Sequence, residues 1–170
     1  MNLTDIAALE NWIELEKKIN DCTGLNASVF DDAGVRITNF KKWANKLCPV
    51  IKSNQKGQNF ICALAHQNIA AQAAHTHQPV MERCDAGLMK LVVPVFIDGE
   101  FSGAVSGCGC LLNNDDVDQF IIHKTIDLSH EKLMGLSRDI PVMTPKEVNA
   151  HIRFIQNEVD RMVKAYEDKR

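Results

Sequence analysis

The chain has 170 residues, 19 Lys and Arg against 22 Asp and Glu, a formal net charge of −3 and 45% hydrophobic residues. This length fits one domain with an ordinary core, and the acidic balance excludes the basic stripe that a nucleic-acid surface shows. No window approaches the roughly 18 consecutive apolar residues of a membrane span.

In chain order, the first element reads as a helix. Thr4 is its cap, and Ile6, Leu9, Trp12, Ile13, Leu15, Ile19 and Cys22 recur near a period of 3.6 up to Gly24. Asn26–Phe30 and Val35–Thr38 read as two strands around the turn Asp31-Asp32-Ala33-Gly34. The stretch from Phe40 to Val50 reads as helical, and Phe60–His77 is alanine-rich and helix-favouring. Val80–Cys84 is a short strand. Leu88–Ile97 and Glu100–Leu112 form a hairpin on the two-residue turn Asp98-Gly99.

The remainder reads as helices. One is capped by Asp115 or Asp116, one by Ser129, and a last one, within 144–170, by Thr144 with Pro145 at its first position and Glu147 closing a capping box. The apolar stripe of that last helix suits docking on its own domain or on a second copy. The order predicts an α+β domain spanning 1–170: an antiparallel sheet of about five strands, helices on one face, and helical N- and C-terminal extensions.

Five of the six cysteines, Cys48, Cys62, Cys84, Cys108 and Cys110, fall in the middle third. Met1–Asp5 has no basic region of a secretory leader, so a cytosolic setting with reduced thiols is expected. Thiols there are metal or cluster ligands, redox groups, or small buried hydrophobes. Cys108 and Cys110 stand two apart on a strand, which predicts that both point to one side of the sheet. With Cys48, Cys62 and Cys84 they make a candidate site for zinc or an iron–sulfur cluster. Cys22 is expected apart, on the apolar face of the first helix.

His66 follows Cys62 by one helical turn and joins the candidate site. His75, His77, His123, His130 and His151 have no such grouping. No nucleophile elbow, phosphate loop or His-Glu-x-x-His motif occurs.

Several segments together resemble the PocR sensory domain: Asn45–Lys52, Phe60–Leu64, Cys84-Asp85-Ala86-Gly87-Leu88, Val93–Gly99 and Gly103-Ala104-Val105. The resemblance runs from about Ile6 to Ile155. It implies a PAS-like fold and the sensing of small hydrocarbon derivatives such as diols by bacterial or archaeal regulators and kinases. The chain departs from the family at Gly107-Cys108-Gly109-Cys110, where a glycine followed by glutamine is usual.

The expected function is therefore that of a cytoplasmic, non-enzymatic sensor of a small organic molecule or of a cysteine-ligated metal centre. Its expected partner is a signalling output domain or protein, and its terminal helices are candidates for a homodimer contact. The alternative is a cysteine-dependent redox or metal enzyme. The expected ligand-binding residues are Trp43, His66, Val93, Val95 and Gly107, and the expected metal ligands Cys48, Cys62, Cys84, Cys108 and Cys110.

Overall fold

A computed structural model describes all residues from 1 to 170. Helix α1, Leu3–Ile6, starts one residue before the expected cap. The chain then kinks at Ala7 and Ala8 into α2, Leu9–Thr23. Trp12, fully buried, ties the two together by donating its indole N–H to the Leu3 carbonyl at 2.9 Å. Gly24 ends α2 in the left-handed conformation at φ 74. The buried stripe of α2 continues from Ile19 to Thr23, so Cys22 falls beside it and is exposed, not on the apolar face as expected.

Strand β1, Asn26–Asp31, does not form a two-strand hairpin with Val35–Thr38, which makes only one bridge, Phe30 with Arg36. The Val29 N–H on that edge is taken by the Glu16 carboxylate at 3.0 Å, and Arg36 turns back to the same carboxylate at 3.2 Å. The expected helix over Phe40–Val50 is also absent before Leu47. The carbonyls of Phe40 and Lys42, which helical bonding would need, accept from the side chains of Arg36 and Asn20.

Helix α3 is Leu47–Ser53 and α4 is the turn Gln55–Gly57, capped by Asn54. A π-helix, Gln58–Ala63, leads into α5, Leu64–Thr76. Strands β2, Val80–Arg83, β3, Met89–Ile97, and β4, Glu100–Leu112, follow. Asp98 and Gly99 make the turn between β3 and β4 with φ of 50 and 80. Helix α6, Gln119–Ile126, is capped by Asp118, not by Asp115 or Asp116. Helix α7, His130–Ser137, has its expected Ser129 cap. After the two-residue β5, Val142–Met143, comes α8, Pro145–Glu167, with the capping box of Thr144 and Glu147. No helix is long and apolar enough to cross a membrane.

The sheet runs β1-β4-β3-β2, all antiparallel, with β5 added in parallel at the end of β4. The fold class is α+β. One face carries Leu91, Val93, Val95, Val29 and Val105, packed against Trp12, Leu15 and Ile19 of α2 and Val148, Ile155 and Val159 of α8. The terminal helices thus form a full layer, and the stripe of α8 docks on the chain's own sheet. On the other face Val92 and Ala104 meet Ala65, Ile69 and Ala73 of α5. A third cluster joins Leu47, Ile51 and Ile61 to Leu88, Ile122 and Leu133, seating α3 and the π-helix on α6 and α7.

Candidate functional site

Between the sheet and the helices α3 to α5 lies a cavity of about 440 Å³. Its floor is the face of β1, β3 and β4 that carries Asn26, Ser28, Phe30, Lys90 and Cys108. Its roof is Cys48 and Lys52 of α3, Cys62 of the π-helix and His66 of α5, and Trp43 and Arg36 stand at one side. The π-helix matters here because an extra residue in one helical turn re-aims the side chains on it, a feature frequent at functional sites.

The placement of the cysteines turns on one glycine. Lys90 stands opposite Cys108 and Met89 opposite Cys110, so Gly109 is an extra residue on β4. It takes φ 106, closed to most side chains, and its carbonyl accepts from the Asn45 amide at 2.7 Å. Across this bulge the alternation of side chains breaks. Cys108 faces the cavity, whereas Cys110 is fully buried in the opposite core with Val148 and Ile155. The expectation that Cys108 and Cys110 converge is therefore corrected.

Val93, Val95 and Gly107 are corrected for a related reason. They alternate onto the face that α2 and α8 cover. A Cβ on Gly107 would meet Leu25 and Leu91 there. Of the ten residues expected at the site, the structure brings six to the cavity: Trp43, Cys48, Cys62, His66, Cys84 and Cys108.

Two of those thiols receive side-chain N–H groups. The Asn45 amide donates to Cys48 Sγ at 3.2 Å, and the Asn26 amide stands 3.9 Å from Cys108 Sγ. Burial pushes the Cys48 thiol well above the ordinary range, reinforced by Cys108 beside it. Burial likewise pushes Cys62 up to about 11 and raises Cys84. These three groups are thiols, not thiolates, at neutral pH. No three His, Cys, Asp or Glu side chains stand together as a set able to hold a metal ion, so zinc is not fitted by these side-chain positions.

Sequence reasoning missed the cations. Lys90 is only 8% exposed and stands 5.6 Å above the Phe30 ring. Lys52 stands 5.9 Å from the Trp43 ring, and burial lowers its pKa. Two signals were available in the sequence. Lys90 interrupts an otherwise apolar strand, and Lys52 follows Cys48 by one helical turn, as His66 follows Cys62.

His66 is 2% exposed and stacks on Phe30 with ring centroids 3.6 Å apart. Neither ring nitrogen has a hydrogen-bond partner in the protein. Burial, with Lys90 and Lys52 adding to it, pushes its pKa down from 6.5 to about 3. The unfolded chain therefore takes up this proton first as the pH falls. The stabilisation is complete above 6.5 and is lost progressively toward the folded value near 3. The slope is at most about 1.4 kcal/mol per pH unit. Urea unfolding at pH 7 and pH 5 should show a loss of about 1–2 kcal/mol in the wild type and a clearly smaller one in His66→Phe. Equal losses in the two proteins would place the acid sensitivity elsewhere.

The family model described as "Sensory domain found in PocR" matches residues 5–166. No match is found among curated proteins. Among solved structures, the crystal structure of the GAF domain/HD domain protein from Geobacter sulfurreducens is similar at 13% identity and a TM-score of 0.47. That match covers 98% of this chain and 99% of that one.

Proposed function

Because the chain belongs to the PocR sensory-domain family over nearly its whole length, we propose that the cavity between the sheet and helices α3 to α5 seats a small organic ligand. Its binding is the signal that the domain passes to an output domain or partner of a cytosolic bacterial or archaeal signalling or transcription-regulation system. The observation that carries this reading is the cavity itself, enclosed by Phe30, Trp43 and Leu88 yet holding buried polar atoms of His66, Asn26 and Gln58 without partners in the protein. An apolar wall with a few convergent polar groups is what small-molecule sites share.

The test is a thermal-shift screen of diols, alcohols and small carboxylates, run in parallel on wild type and on Ser28→Phe, which places a ring into the cavity. A ligand at about 100 times its Kd stabilises by about 2.7 kcal/mol, a rise of about 5–10 °C for a domain of this size. Hits should raise the melting temperature of the wild type and not of Ser28→Phe. Hits that stabilise both proteins equally place the ligand outside this cavity.

A second reading, a cysteine-ligated iron–sulfur or zinc centre, is favoured by four thiols on one cavity and by the amide N–H groups beside Cys48 and Cys108. Against it stands the absence of any set of three donors placed for one ion. Protein purified without oxygen should be colourless, with iron, sulfide and zinc well below one per chain. A brown protein with iron and sulfide would reverse the order of the two readings. The domain is read as non-enzymatic, because burial holds Cys62 protonated and pushes His66 down to about 3, too weak a base to activate a thiol.

A further inference from the structure

A cavity for a neutral ligand needs no net charge on its walls. This one is lined by Arg36, Lys41, Lys52 and Lys90, and by no aspartate or glutamate. Arg36 is matched, 3.2 Å from the Glu16 carboxylate. Neither Lys52 nor Lys90 is among the cations that form ion pairs in the chain. A lysine is almost never buried unless paired, and an isolated buried ammonium carries a heavy desolvation penalty. Lys90 is nevertheless held in the sheet, under the roof that carries Lys52, beside the unpartnered nitrogens of His66. Unpaired positive charge is thus gathered in one cavity that has room for a ligand.

We propose that the ligand of this cavity is a small organic carboxylate, its oxygens held by the ammonium groups of Lys90 and Lys52, with the unpartnered His66 imidazole donating a further hydrogen bond. The carbon skeleton lies against the faces of Phe30 and Trp43. This rests on the reading above that the cavity is the ligand seat, and it narrows the ligand from any small molecule to an anion. A carboxylate needs no more than these point charges and hydrogen bonds, whereas phosphate sites commonly add guanidinium forks or rows of backbone N–H groups to a lysine. Here the one lining guanidinium is engaged by Glu16 and by the carbonyls of Ala27 and Phe40.

Matched pairs that differ only in the charged group decide it: lactate against propane-1,2-diol, succinate against butane-1,4-diol, and benzoate against benzyl alcohol. Binding is read by calorimetry and by the fluorescence of Trp43, with Trp43→Phe identifying its share from that of Trp12. At least one carboxylate should bind about tenfold or more tightly than its alcohol. Lys90→Met should weaken it by at least about tenfold, as loss of a hydrogen bond to a charged group does, while Lys90→Arg keeps part of the affinity. Melting curves check that each variant is folded, and Lys52→Met, at a half-buried position, gives an independent reading of the same charge.

The assignment is overturned if the alcohols bind as tightly as their carboxylates, or if the folded lysine-to-methionine variants bind the carboxylate unchanged. It is also overturned if no carboxylate binds up to roughly 10 mM, beyond the weak end of ordinary affinities. An alcohol that binds the wild type as tightly as its carboxylate and is lost in Ser28→Phe would leave the ligand seat standing and remove only its charge preference.

Discussion

Glu16→Ala lowers the stability of the domain by about 3–5 kcal/mol, the range for removing one partner of a buried ion pair. The Glu16 side chain is fully buried on α2 and accepts from three sources: the Val29 N–H, Arg36 and the Thr38 hydroxyl. Burial pushes its carboxyl up, and the Thr38 and Arg36 contacts pull it back. Alanine leaves the Arg36 guanidinium without its counter-charge and the Val29 N–H without an acceptor, so the loss exceeds that of any one bond.

The same change releases the irregular segment that walls the cavity, because Arg36 also holds the carbonyl of Phe40. The melting temperature should fall by roughly 10 °C, and the emission of Trp43 should shift toward that of a solvated indole. Glu16→Gln, which keeps an acceptor, should recover part of both. A loss below about 1 kcal/mol, within the reach of an ordinary hydrogen bond, would mean that the segment is held by something other than this carboxylate.

Gly109→Ala comes second in size, with an expected loss of about 2–4 kcal/mol from backbone strain and overpacking together. At φ 106 any side chain is strained, and the new Cβ would stand 2.8 Å from the Ala44 Cβ and 3.2 Å from the Asn45 amide nitrogen. Asn45 binds both the bulge and Cys48, so the damage reaches the cavity roof as well. Gly135→Ala in α7 is the control. Nothing lies within 4 Å of its added Cβ, and an exposed helix interior gains up to about 1 kcal/mol from the exchange. Urea unfolding of the two variants side by side checks the contrast. Similar small changes at both positions would show that the bulge relaxes without strain.

What the sequence makes legible here follows from short-range signals. The Asp98-Gly99 turn with its two apolar flanks reads directly as the β3–β4 hairpin, and Thr144, Pro145 and Glu147 read as the start of α8, because both depend only on neighbours in the chain. The grouping of Cys48, Cys62, Cys84 and Cys108 was also legible, as thiols gathered in the middle third. The Gly109 bulge was not. A strand pattern assumes strict alternation, and one inserted residue moved Cys110 to the far core. Val35–Thr38 and Phe40–Lys46 failed because distant side chains, Glu16 and Asn20, captured the backbone groups that local structure would have used. Lys90 sits inside a strand whose apolar pattern dominates its reading, although a lone charge there is the most specific mark of the cavity.

The position of β1 bears on the order in which the molecule assembles. The β3–β4 hairpin closes across two residues, but β1 pairs with β4 in a register that sets Asn26 against Cys108. Loop-closure entropy makes such distant pairing slow, and chains rich in it fold slowly. The hairpin is therefore the natural early nucleus, and β1 adds to an edge already built. Asn26, Ser28 and Phe30 arrive with β1, so one wall of the cavity is expected to form last. Until then the edge of β4 stays open to other chains, and crowding during synthesis should reduce the yield of this domain more than its final stability suggests.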